Sequence, residues 1–500
     1  MSQIDSNLYL MPQMILVAFA LLTPALDILT RRGAKNLLGV WSLIGLLMAL
    51  LMTLDLAGVF PTGFSFIPNA QSSSQLILFN GLLVLDAFYY FFASVFLIVA
   101  MIVVIASLTY IKSEEPHQGE YYALLLFSTL GMMIVALAGD FIILFLGLEL
   151  STLSTFALVA FRKRVKLSTE ASMKFFIIGA LSSALLLYGI SLIFGVAGTT
   201  NFSELATIIP ERLSFTPTLV VASVLILAGL GFKMSAVPFH MWVPDTFQGA
   251  PTTVTTFLAA ASKKMGFAAA FVVFAIALVA LQQYWGMLVF ALAIFTMTVG
   301  NVGALMQSSV KRLLAYSSIA QAGYILIALA VASPTAIAGG LYYMLAHALM
   351  KGGAFIVVAI AIHTMIGDRI EDYTALRRRA PLLAFAMVIF LFSLAGIPPL
   401  GGFWAKFLVF SGAIEAGGIF VWLAVAGILN SALSVYYYAR IIKQMYIVPP
   451  SSGTLHRIKM PSMLTVALLL TLVGTILIGL LADPIVNYTQ VASAALFQRI

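Results

Sequence analysis

Long runs of apolar residues, separated by short polar stretches, recur along the whole of this sequence. A helix needs about 20 such residues to cross the hydrocarbon core of a lipid bilayer. Only 9% of the 500 residues are charged, whereas a soluble domain carries about 25% charged residues. So few charges cannot cover a surface that faces water. The sequence therefore predicts an all-α integral membrane protein.

The apolar runs predict about fourteen transmembrane helices, which we number in chain order. The long connection at 57–85 is polar enough to lie at the surface, and a short amphipathic piece runs from Glu204 to Arg212. The fourteen predicted helices cover residues 10–29, 37–56, 87–111, 121–139, 141–161, 173–194, 218–240, 251–280, 284–306, 313–332, 335–362, 382–414, 419–446 and 462–481.

Lysine and arginine concentrate in every second connection between the predicted helices. Of the 26 basic residues, 19 lie there or at the start of helix 6, and only Arg212 and Arg499 lie on the opposite side. The positive-inside rule places the basic connections in the cytoplasm, so both termini face outward. The first residues include Asp5 and no basic segment, which is not typical of a cleaved signal peptide. We expect a multi-pass protein of a prokaryotic inner membrane or, alternatively, of an energy-transducing organelle membrane.

Several kinds of chemistry leave no trace in the sequence. The chain has no cysteine, which excludes disulfides, iron–sulfur ligation and c-type haem attachment. Its five histidines stand far apart, without a metal-ligand pattern, and no Gly-rich phosphate-binding loop is present. The net charge of +8 reflects orientation signals rather than a nucleic-acid surface. We therefore expect no cofactor, metal or nucleic acid on this chain.

Helices 4–8 and helices 9–13 form two blocks of five. A repeated block with an odd number of helices must enter the membrane from opposite sides, so an inverted repeat is permitted. Pro238 and the proline-containing segment 396–402 predict that helices 7 and 12 are broken, because proline removes a backbone donor. We expect four parts: a three-helix segment at 1–120, repeats at 121–283 and 284–446, and helix 14 with a tail at 447–500.

Ionisable side chains inside the apolar runs are the strongest candidates for function. Each costs about 2.5–3.5 kcal/mol at a helix centre, so these side chains should face the bundle interior. Burial disfavours the charged form of a lysine and a nearby carboxylate favours it, which makes Lys233 with Glu149 a candidate proton switch. A line of such groups at mid-membrane can form a proton relay. The predicted relay consists of Glu149, Lys233, Lys263, Lys406, His347 and Lys351.

Three of the basic side chains have simpler explanations. Lys264 follows Lys263 about 100° round the helix, so both rarely face one axis and Lys264 is the weaker candidate. Lys351 can snorkel to the membrane surface. His347 can be a core histidine with satisfied hydrogen bonds.

Polar residues near the helix ends are expected to have local roles. His240 and Asp245 are typical of capping or loop packing, and Asp27, Asp55 and Asp86 are expected to be solvated. The hydroxyl groups that can hold waters along the relay are those of Ser235, Thr252, Thr253, Thr255, Thr256 and Ser262.

The residues around helices 7 and 8 resemble a known family. The stretch Phe232 to Asp245, followed by Gly249-Ala250-Pro251 and Phe257 to Lys263, resembles the signature of the antiporter-like subunits of complex I. These subunits are similar to the multisubunit cation/proton antiporters. The segment Gly396 to Phe407 resembles the broken helix 12 of the family and its lysine. The likeness spans nearly the whole chain.

Two further stretches resemble the N-type subunit, which is called subunit 2 in mitochondria and B in chloroplasts. They are Leu146 to Ser151 in helix 5, and Glu170 to Phe176 with Gly179 to Gly189 in helix 6. The resemblance implies that Glu149 and Lys233 form the charge pair of one half-channel. It also implies that Lys263 is the central connection and that Lys406 serves the other half-channel.

The resemblance further implies a setting for this chain. It would be the proton-translocating N subunit of a complex I-like dehydrogenase, a membrane subunit that couples electron transfer to proton pumping and holds no redox centre. Flavin, iron–sulfur clusters and quinone are expected in the other subunits of the complex. The expected partners are the antiporter-like subunits M and L, the further membrane subunits K, J, A and H, the peripheral redox arm and lipid.

One segment departs from many bacterial N subunits. Ala346 to Phe355 carries His347 and Lys351, and it looks more like subunits M and L or like archaeal N-type subunits. The electron donor and acceptor are therefore open: NADH with quinone, or a reduced deazaflavin (F420H2) with methanophenazine. The alternative function is a subunit of an Mrp-type cation/proton antiporter. An unrelated twelve-helix solute carrier is disfavoured by the fourteen helices.

Overall fold

The computed structural model describes residues 8–31, 34–59, 75–111, 117–211, 216–450 and 456–499, and they form a bundle of long helices. Thirteen helices in these ranges are long and apolar enough to cross a membrane. The remaining predicted helix, helix 12, is present in two shorter pieces. The membrane helices are helix 1 Met11–Leu29, helix 2 Asn36–Leu56, helix 3 Ala87–Tyr110, helix 4 Gln118–Leu137, helix 5 Phe141–Val159, helix 6 Lys166–Ala197, helix 7 Thr216–Met234, helix 8 Thr252–Ala277, helix 9 Gln282–Leu305, helix 10 Val310–Val331, helix 11 Pro334–His363, helix 12a Pro381–Ala395, helix 12b Gly401–Ala416, helix 13 Val421–Tyr446 and helix 14 Ser462–Leu480.

Helix 7 is shorter than the predicted range 218–240. It ends at Met234, and Ser235 follows with a φ of +64°, a left-handed conformation. Pro238 cannot donate a backbone hydrogen bond, so the helix cannot continue through it. A short connecting helix, Trp242–Gly249, then leads into helix 8. The prediction of a break was right, and its place lies several residues before the proline.

Helix 12 is likewise not the single helix predicted at 382–414. Helix 12a ends at Ala395, and helix 12b begins at Gly401. Gly396 caps helix 12a with a φ of +91°, which residues with a side chain rarely adopt. Ser393 then accepts a hydrogen bond from the backbone N–H of Gly402 at 3.1 Å, so a donor freed by the break is satisfied inside the bundle.

The centre of the bundle is formed by helices 8, 10 and 11. Every residue of helix 8 is buried, whereas most residues of helices 1, 6 and 13 are half-buried or exposed. Helix 8 also contains two π-helical segments, Leu258–Ser262 and Val273–Ala277. π-Helical segments are rare in proteins, and those that do occur are frequently found at functional sites.

The two blocks of five helices use the same internal pairings. Helix 4 packs along helix 5 as helix 9 packs along helix 10, and helix 6 packs along helix 7 as helix 11 packs along helix 12b. The two broken helices take the same place in each block. These pairings support the predicted inverted repeat, whose exact boundaries remain a prediction.

Three elements outside the membrane helices were missed or only partly predicted. The connection at 57–85 contains a small antiparallel hairpin, β1 Leu76–Leu78 and β2 Leu83–Leu85, while residues 60–74 lie outside the described ranges. The amphipathic piece near Glu204 is a helix, Phe202–Glu211. The tail after helix 14 forms a further helix, Ala482–Phe497.

The acidic residues near the helix ends were expected to be solvated, and this prediction is wrong. Asp55 and Asp86 are buried, and Asp27 lies 2.9 Å from the ammonium of Lys35. Asp86 caps helix 3 and forms a buried ion pair with Arg499, through contacts of 2.7 Å from Nε and 2.9 Å from Nη2. The end of the chain is thus fastened to the start of helix 3.

We predict that Arg499→Ala strongly destabilises the protein. Removing one partner of a buried ion pair leaves the other charge uncompensated, which costs about 3–5 kcal/mol. The free energy of unfolding of the purified protein in detergent, followed by tryptophan fluorescence, measures the effect. Arg457→Ala is the control, because Arg457 is exposed. Equal stability of the two variants would contradict the role given to this ion pair.

Candidate functional site

The first-half site lies between helices 5, 6 and 7. The carboxylate of Glu149 accepts a hydrogen bond of 2.5 Å from the hydroxyl of Ser183. The ammonium of Lys233 is buried and donates to the hydroxyl of Thr152, one turn from Glu149 on helix 5. No contact within 4 Å joins Lys233 to a carboxylate in the described part of the chain. The expected charge pair of Lys233 and Glu149 is therefore arranged side by side without direct contact.

The break in helix 7 places Lys233 in its last turn. Backbone carbonyls at a helix C-terminus lack partners within the helix, and a cation there is favourable. The indole N–H of Trp242 satisfies the carbonyl of Phe232 at 3.1 Å. Helix 8 approaches this turn so closely that a Cβ on Gly266 would lie 2.8 Å from the Cβ of Lys233. Lys233 is thus held against the central helix.

The central lysines follow the first π-helical segment of helix 8. Lys263 donates to the hydroxyl of Ser318 on helix 10 at 2.9 Å. Lys264 donates to the carbonyl of Ala259 at 2.5 Å and contacts Nδ1 of His347 on helix 11 at 2.9 Å. The two neighbouring lysines point to different helices, as their 100° offset requires. Lys264 nevertheless remains buried, so it belongs to the polar centre.

Helix 11 carries two further members of the predicted relay. Lys351 is fully buried and donates to the hydroxyl of Ser317 at 2.8 Å and to the carbonyl of Leu314 at 3.3 Å. It does not snorkel to the surface. His347 lies one turn before Lys351, and its Nε2 has no hydrogen-bond partner among the described residues. A core histidine with all its hydrogen bonds satisfied does not fit this observation.

The second-half site surrounds the break in helix 12. Lys406 on helix 12b donates to the carbonyl of Ala395, the last residue of helix 12a, at 2.8 Å and to the hydroxyl of Ser431 at 2.6 Å. Its ammonium also lies 4.9 Å from the ring centroid of Tyr324, a favourable cation–π arrangement. The break thus supplies a carbonyl acceptor to Lys406. Lys233 likewise lies beside the break in its own block, in the last turn of helix 7.

Helix 10 connects these parts through one polar face that sequence reasoning missed. Ser318 holds Lys263, and the adjacent Ser317 holds Lys351 and contacts the hydroxyl of Tyr438. One turn further, Gln321 donates to the freed carbonyl of Leu394 at 3.2 Å. Gln321 lies four residues after Ser317 and three after Ser318, so it is a neighbour of both serines on the surface of helix 10, and this spacing is a detectable signal.

Four of the six hydroxyl groups expected along the relay have other partners. Thr252 and Thr253 contact the hydroxyls of Tyr110 and Tyr121 at 3.1 and 3.0 Å. Thr255 and Thr256 donate to backbone carbonyls. The hydroxyl of Ser235 has no partner among the described residues. The structure instead brings Thr152, Ser317, Ser318 and Ser431 to the lysines.

Charged residues at one end of the bundle hold the two blocks together. Asp245 contacts Lys174 of helix 6 at 2.9 Å and Arg312 of helix 10 at 2.7 Å. Burial opposes ionisation of Asp245, but its contacts with Lys174 and Arg312 outweigh that effect and hold the pKa of this carboxyl below its ordinary value. The neighbouring Lys311 is buried and donates to the carbonyl of Ala250 at 2.8 Å. Asp245 therefore does more than cap a helix.

More than half of the chain matches the model of a known protein family. The model described as "NADH:quinone oxidoreductase/Mrp antiporter, TM" matches residues 138–434. The chain belongs to this family. In the part of the chain that the structure describes, no group of three or more histidine or acidic residues is placed to hold a metal.

Relatives of two kinds cover nearly the whole of this family member. F(420)H(2) dehydrogenase subunit N of Methanosarcina mazei is 46% identical over 498 residues, 98% of this chain and 99% of the relative. NADH-quinone oxidoreductase subunit N of Desulforamulus reducens is 42% identical over 482 residues, 96% and 97% of the two chains. The predicted resemblance to N-type subunits is confirmed.

Solved structures show the same fold. A chain of respiratory complex I from Thermus thermophilus aligns with a TM-score of 0.77 at 30% identity, covering 95% of this chain and 98% of that one. A chain of the archaeal membrane-bound sulfane sulfur reductase aligns with a TM-score of 0.84 at 26% identity, covering 99% and 98%. A chain of the Mrp complex from Dietzia aligns with a TM-score of 0.81 at 22% identity, covering 99% and 98%, which shows the fold alone. The prediction of a multi-pass helical membrane protein is confirmed.

We predict that Asp245→Asn lowers the melting temperature more than Lys174→Ala does. The first change removes contacts to two cations, whereas Lys174 is about half exposed and its pairs contribute less than about 1 kcal/mol. A carboxyl with a lowered pKa contributes stability that is fully present above its unfolded pKa of about 4 and is lost as the pH falls through its folded pKa, so the difference from wild type should persist above about pH 4 and shrink progressively below it. Thermal unfolding in detergent at several pH values is the measurement. A larger effect of Lys174→Ala would contradict the arrangement.

Proposed function

We propose that this chain is the proton-translocating, N-type membrane subunit of a complex I-like dehydrogenase. The observation that carries the proposal is the set of buried lysines that spans both five-helix blocks. Lys233, Lys263, Lys351 and Lys406 are each at most 8% exposed. None of them has a carboxylate within 4 Å among the described residues.

Buried lysines without ion-pair partners are well suited to exchange protons. Burial disfavours the ammonium form, so a modest change in nearby charge is enough to move a proton on or off the side chain. Lys233 contacts Thr152 on helix 5. Glu149 lies three residues before Thr152 on the same face of that helix, and its carboxylate is held by Ser183. Approach of Glu149 favours the charged lysine, and separation favours release of the proton. The relay then continues through Lys263, Lys264, His347 and Lys351 to Lys406.

The proposed setting follows from the relatives rather than from this chain alone. The relatives are named as subunits of NADH-quinone oxidoreductase and of F(420)H(2) dehydrogenase. Flavin, iron–sulfur clusters and quinone or methanophenazine would be bound by other subunits of the complex, and this chain would act as a translocase subunit without a redox centre. Partners would include antiporter-like subunits M and L, smaller membrane subunits and a peripheral redox arm. The subunits that co-purify identify the electron donor.

An Mrp-type cation/proton antiporter is the second candidate. The same relay serves either protein, and the family description covers both. The N-type relatives extend over nearly the whole chain at 42–46% identity, whereas the Mrp chain shares 22% and supports the fold alone. Sodium-dependent growth conferred by the gene cluster without a peripheral redox arm would favour the antiporter.

The orientation of the chain in the membrane and its division into four segments are also proposals. We place the basic connections on the cytoplasmic side of a prokaryotic inner membrane, with both termini outside, on the charge distribution of the sequence. The parts at 1–120, 121–283, 284–446 and 447–500 would be an N-terminal segment, two inverted repeats and a C-terminal helix with its tail.

We predict that Lys233→Ala and Glu149→Ala each lower proton pumping roughly tenfold or more, since a positioned proton-transfer group typically contributes 10²–10⁴-fold. The assembled complex in liposomes is assayed for acidification and for electron transfer to quinone. Lys166→Ala is the control, because Lys166 is exposed. Normal pumping by both variants in an intact complex would refute the relay.

We predict that Lys264→Ala and His347→Ala have effects on pumping that do not add. The two side chains contact each other at 2.9 Å, and neighbours that share one interaction show coupling in a double-mutant cycle. The double variant should therefore pump about as well as the worse single variant. Effects that multiply independently would place Lys264 and His347 outside a common step.

A further inference from the structure

Each of the four lysines that span the two blocks has one hydroxyl partner on a neighbouring helix. Lys233 donates to Thr152, Lys263 to Ser318, Lys351 to Ser317 and Lys406 to Ser431. Thr152, Ser317 and Ser318 are at most 1% exposed, and Ser431 is half-buried. Thr152 lies on helix 5, and Ser317 and Ser318 lie on helix 10, the counterpart of helix 5 in the other block.

We propose that these four hydroxyl groups are positioning residues that allow each lysine to exist in the bundle both with and without its proton. This inference rests on the proposed function, because it concerns how the relay lysines change state. It assigns a role to Thr152, Ser317, Ser318 and Ser431.

The two protonation states of a lysine need different hydrogen-bond partners. An ammonium only donates hydrogen bonds, whereas a neutral amine has a lone pair that accepts one. A backbone carbonyl only accepts, so it can accept an N–H from either form of the lysine but cannot donate to the lone pair of the neutral amine. A hydroxyl accepts from the ammonium and, after rotation of its O–H, donates to the amine. The lysine can therefore lose its proton without leaving a buried lone pair unsatisfied, which would be costly.

The surroundings of the hydroxyls permit this rotation. The hydroxyl of Thr152 also contacts the carbonyl of Leu148, and that of Ser431 contacts the carbonyl of Ala395 at 3.1 Å. Ser317 contacts the hydroxyl of Tyr438, in a hydrogen bond that either oxygen can donate. Each of these three hydroxyls thus has a second place for its proton while the lysine is charged.

The proton count of the step is balanced. One N–H bond of the ammonium breaks, the nitrogen keeps the electron pair, and the proton passes along the relay to the next neutral amine. The hydroxyl keeps its own proton and only reorients it toward the new lone pair. No other reactant is needed.

Lys264 is the informative exception. Its partners are the carbonyl of Ala259 and Nδ1 of His347. A ring nitrogen of histidine is a donor in one tautomer and an acceptor in the other. His347 therefore supplies by tautomerisation what a hydroxyl supplies by rotation, and its unpartnered Nε2 gives the second position for the ring proton.

The test uses isosteric changes in the assembled complex, reconstituted in liposomes and assayed for protons pumped per electron transferred. Thr152→Val keeps the shape and removes the hydroxyl, and Thr152→Ser keeps the hydroxyl and removes the methyl group. We expect Thr152→Val to lower the ratio at least fivefold and Thr152→Ser to retain it. Likewise, Ser318→Ala, which removes the hydroxyl, should lower the ratio at least fivefold, and Ser318→Thr, which keeps it, should retain the ratio.

Matched controls separate this role from packing. Thr129 is fully buried and its hydroxyl bonds the carbonyl of Leu125 in its own helix at 2.8 Å, so Thr129→Val should pump normally. Ser42→Ala, with a hydroxyl that bonds the carbonyl of Leu38, is the corresponding serine control. Lys233→Ala is run beside them.

The outcomes distinguish the two proposals. Loss of pumping in Lys233→Ala with normal pumping in Thr152→Val and Ser318→Ala would overturn the role of the hydroxyls and leave the relay intact. Normal pumping in Lys233→Ala would overturn the proposed function itself. Equal loss in Thr152→Ser and Thr152→Val would show that packing of the methyl group, rather than the hydroxyl, is required.

Discussion

The hydrogen bond between a buried ammonium and an uncharged oxygen is the interaction on which this structure depends. A lysine in the membrane interior is costly unless its donors are satisfied. An ion pair would satisfy them but would fix the charge. Along the line from Lys233 to Lys406, the structure provides hydroxyl and carbonyl oxygens instead. Under the proposed function, these oxygens stabilise the lysines without locking them in one protonation state.

The irregular backbone of the bundle supplies much of this polar surface. A regular membrane helix uses all its carbonyls internally, so it offers nothing to a neighbouring side chain. The break in helix 12 frees the carbonyl of Ala395 for Lys406, and the carbonyl of Ala259 in the π-helical segment of helix 8 faces Lys264. Helix 10 then joins the parts, because Ser317 and Ser318 are adjacent and hold lysines from helices 11 and 8. Both five-helix blocks therefore meet at one helix.

The sequence was sufficient to predict the helices, the two breaks and the burial of the lysines inside the bundle. These features follow from single-residue properties: the length of an apolar run, a missing backbone donor at proline, and the cost of a charge in lipid. Burial of Asp86 could not be predicted, because its partner Arg499 lies at the other end of the chain. Neither could the hydroxyl partners, since a buried Ser or Thr most often bonds its own helix, as Thr129 does. Pairings between distant helices decide which hydroxyl meets a lysine, and a single sequence does not record them.

The most direct measurement is the position of ordered water and of the lysine side chains in the assembled complex, determined in lipid at a resolution that shows water molecules. The account predicts a hydrated line that joins Glu149, Lys233, Lys263, Lys351 and Lys406, with a hydroxyl and no carboxylate in contact with each lysine from Lys233 onward. A dry apolar gap between the two blocks, or lysines turned toward lipid, would contradict it.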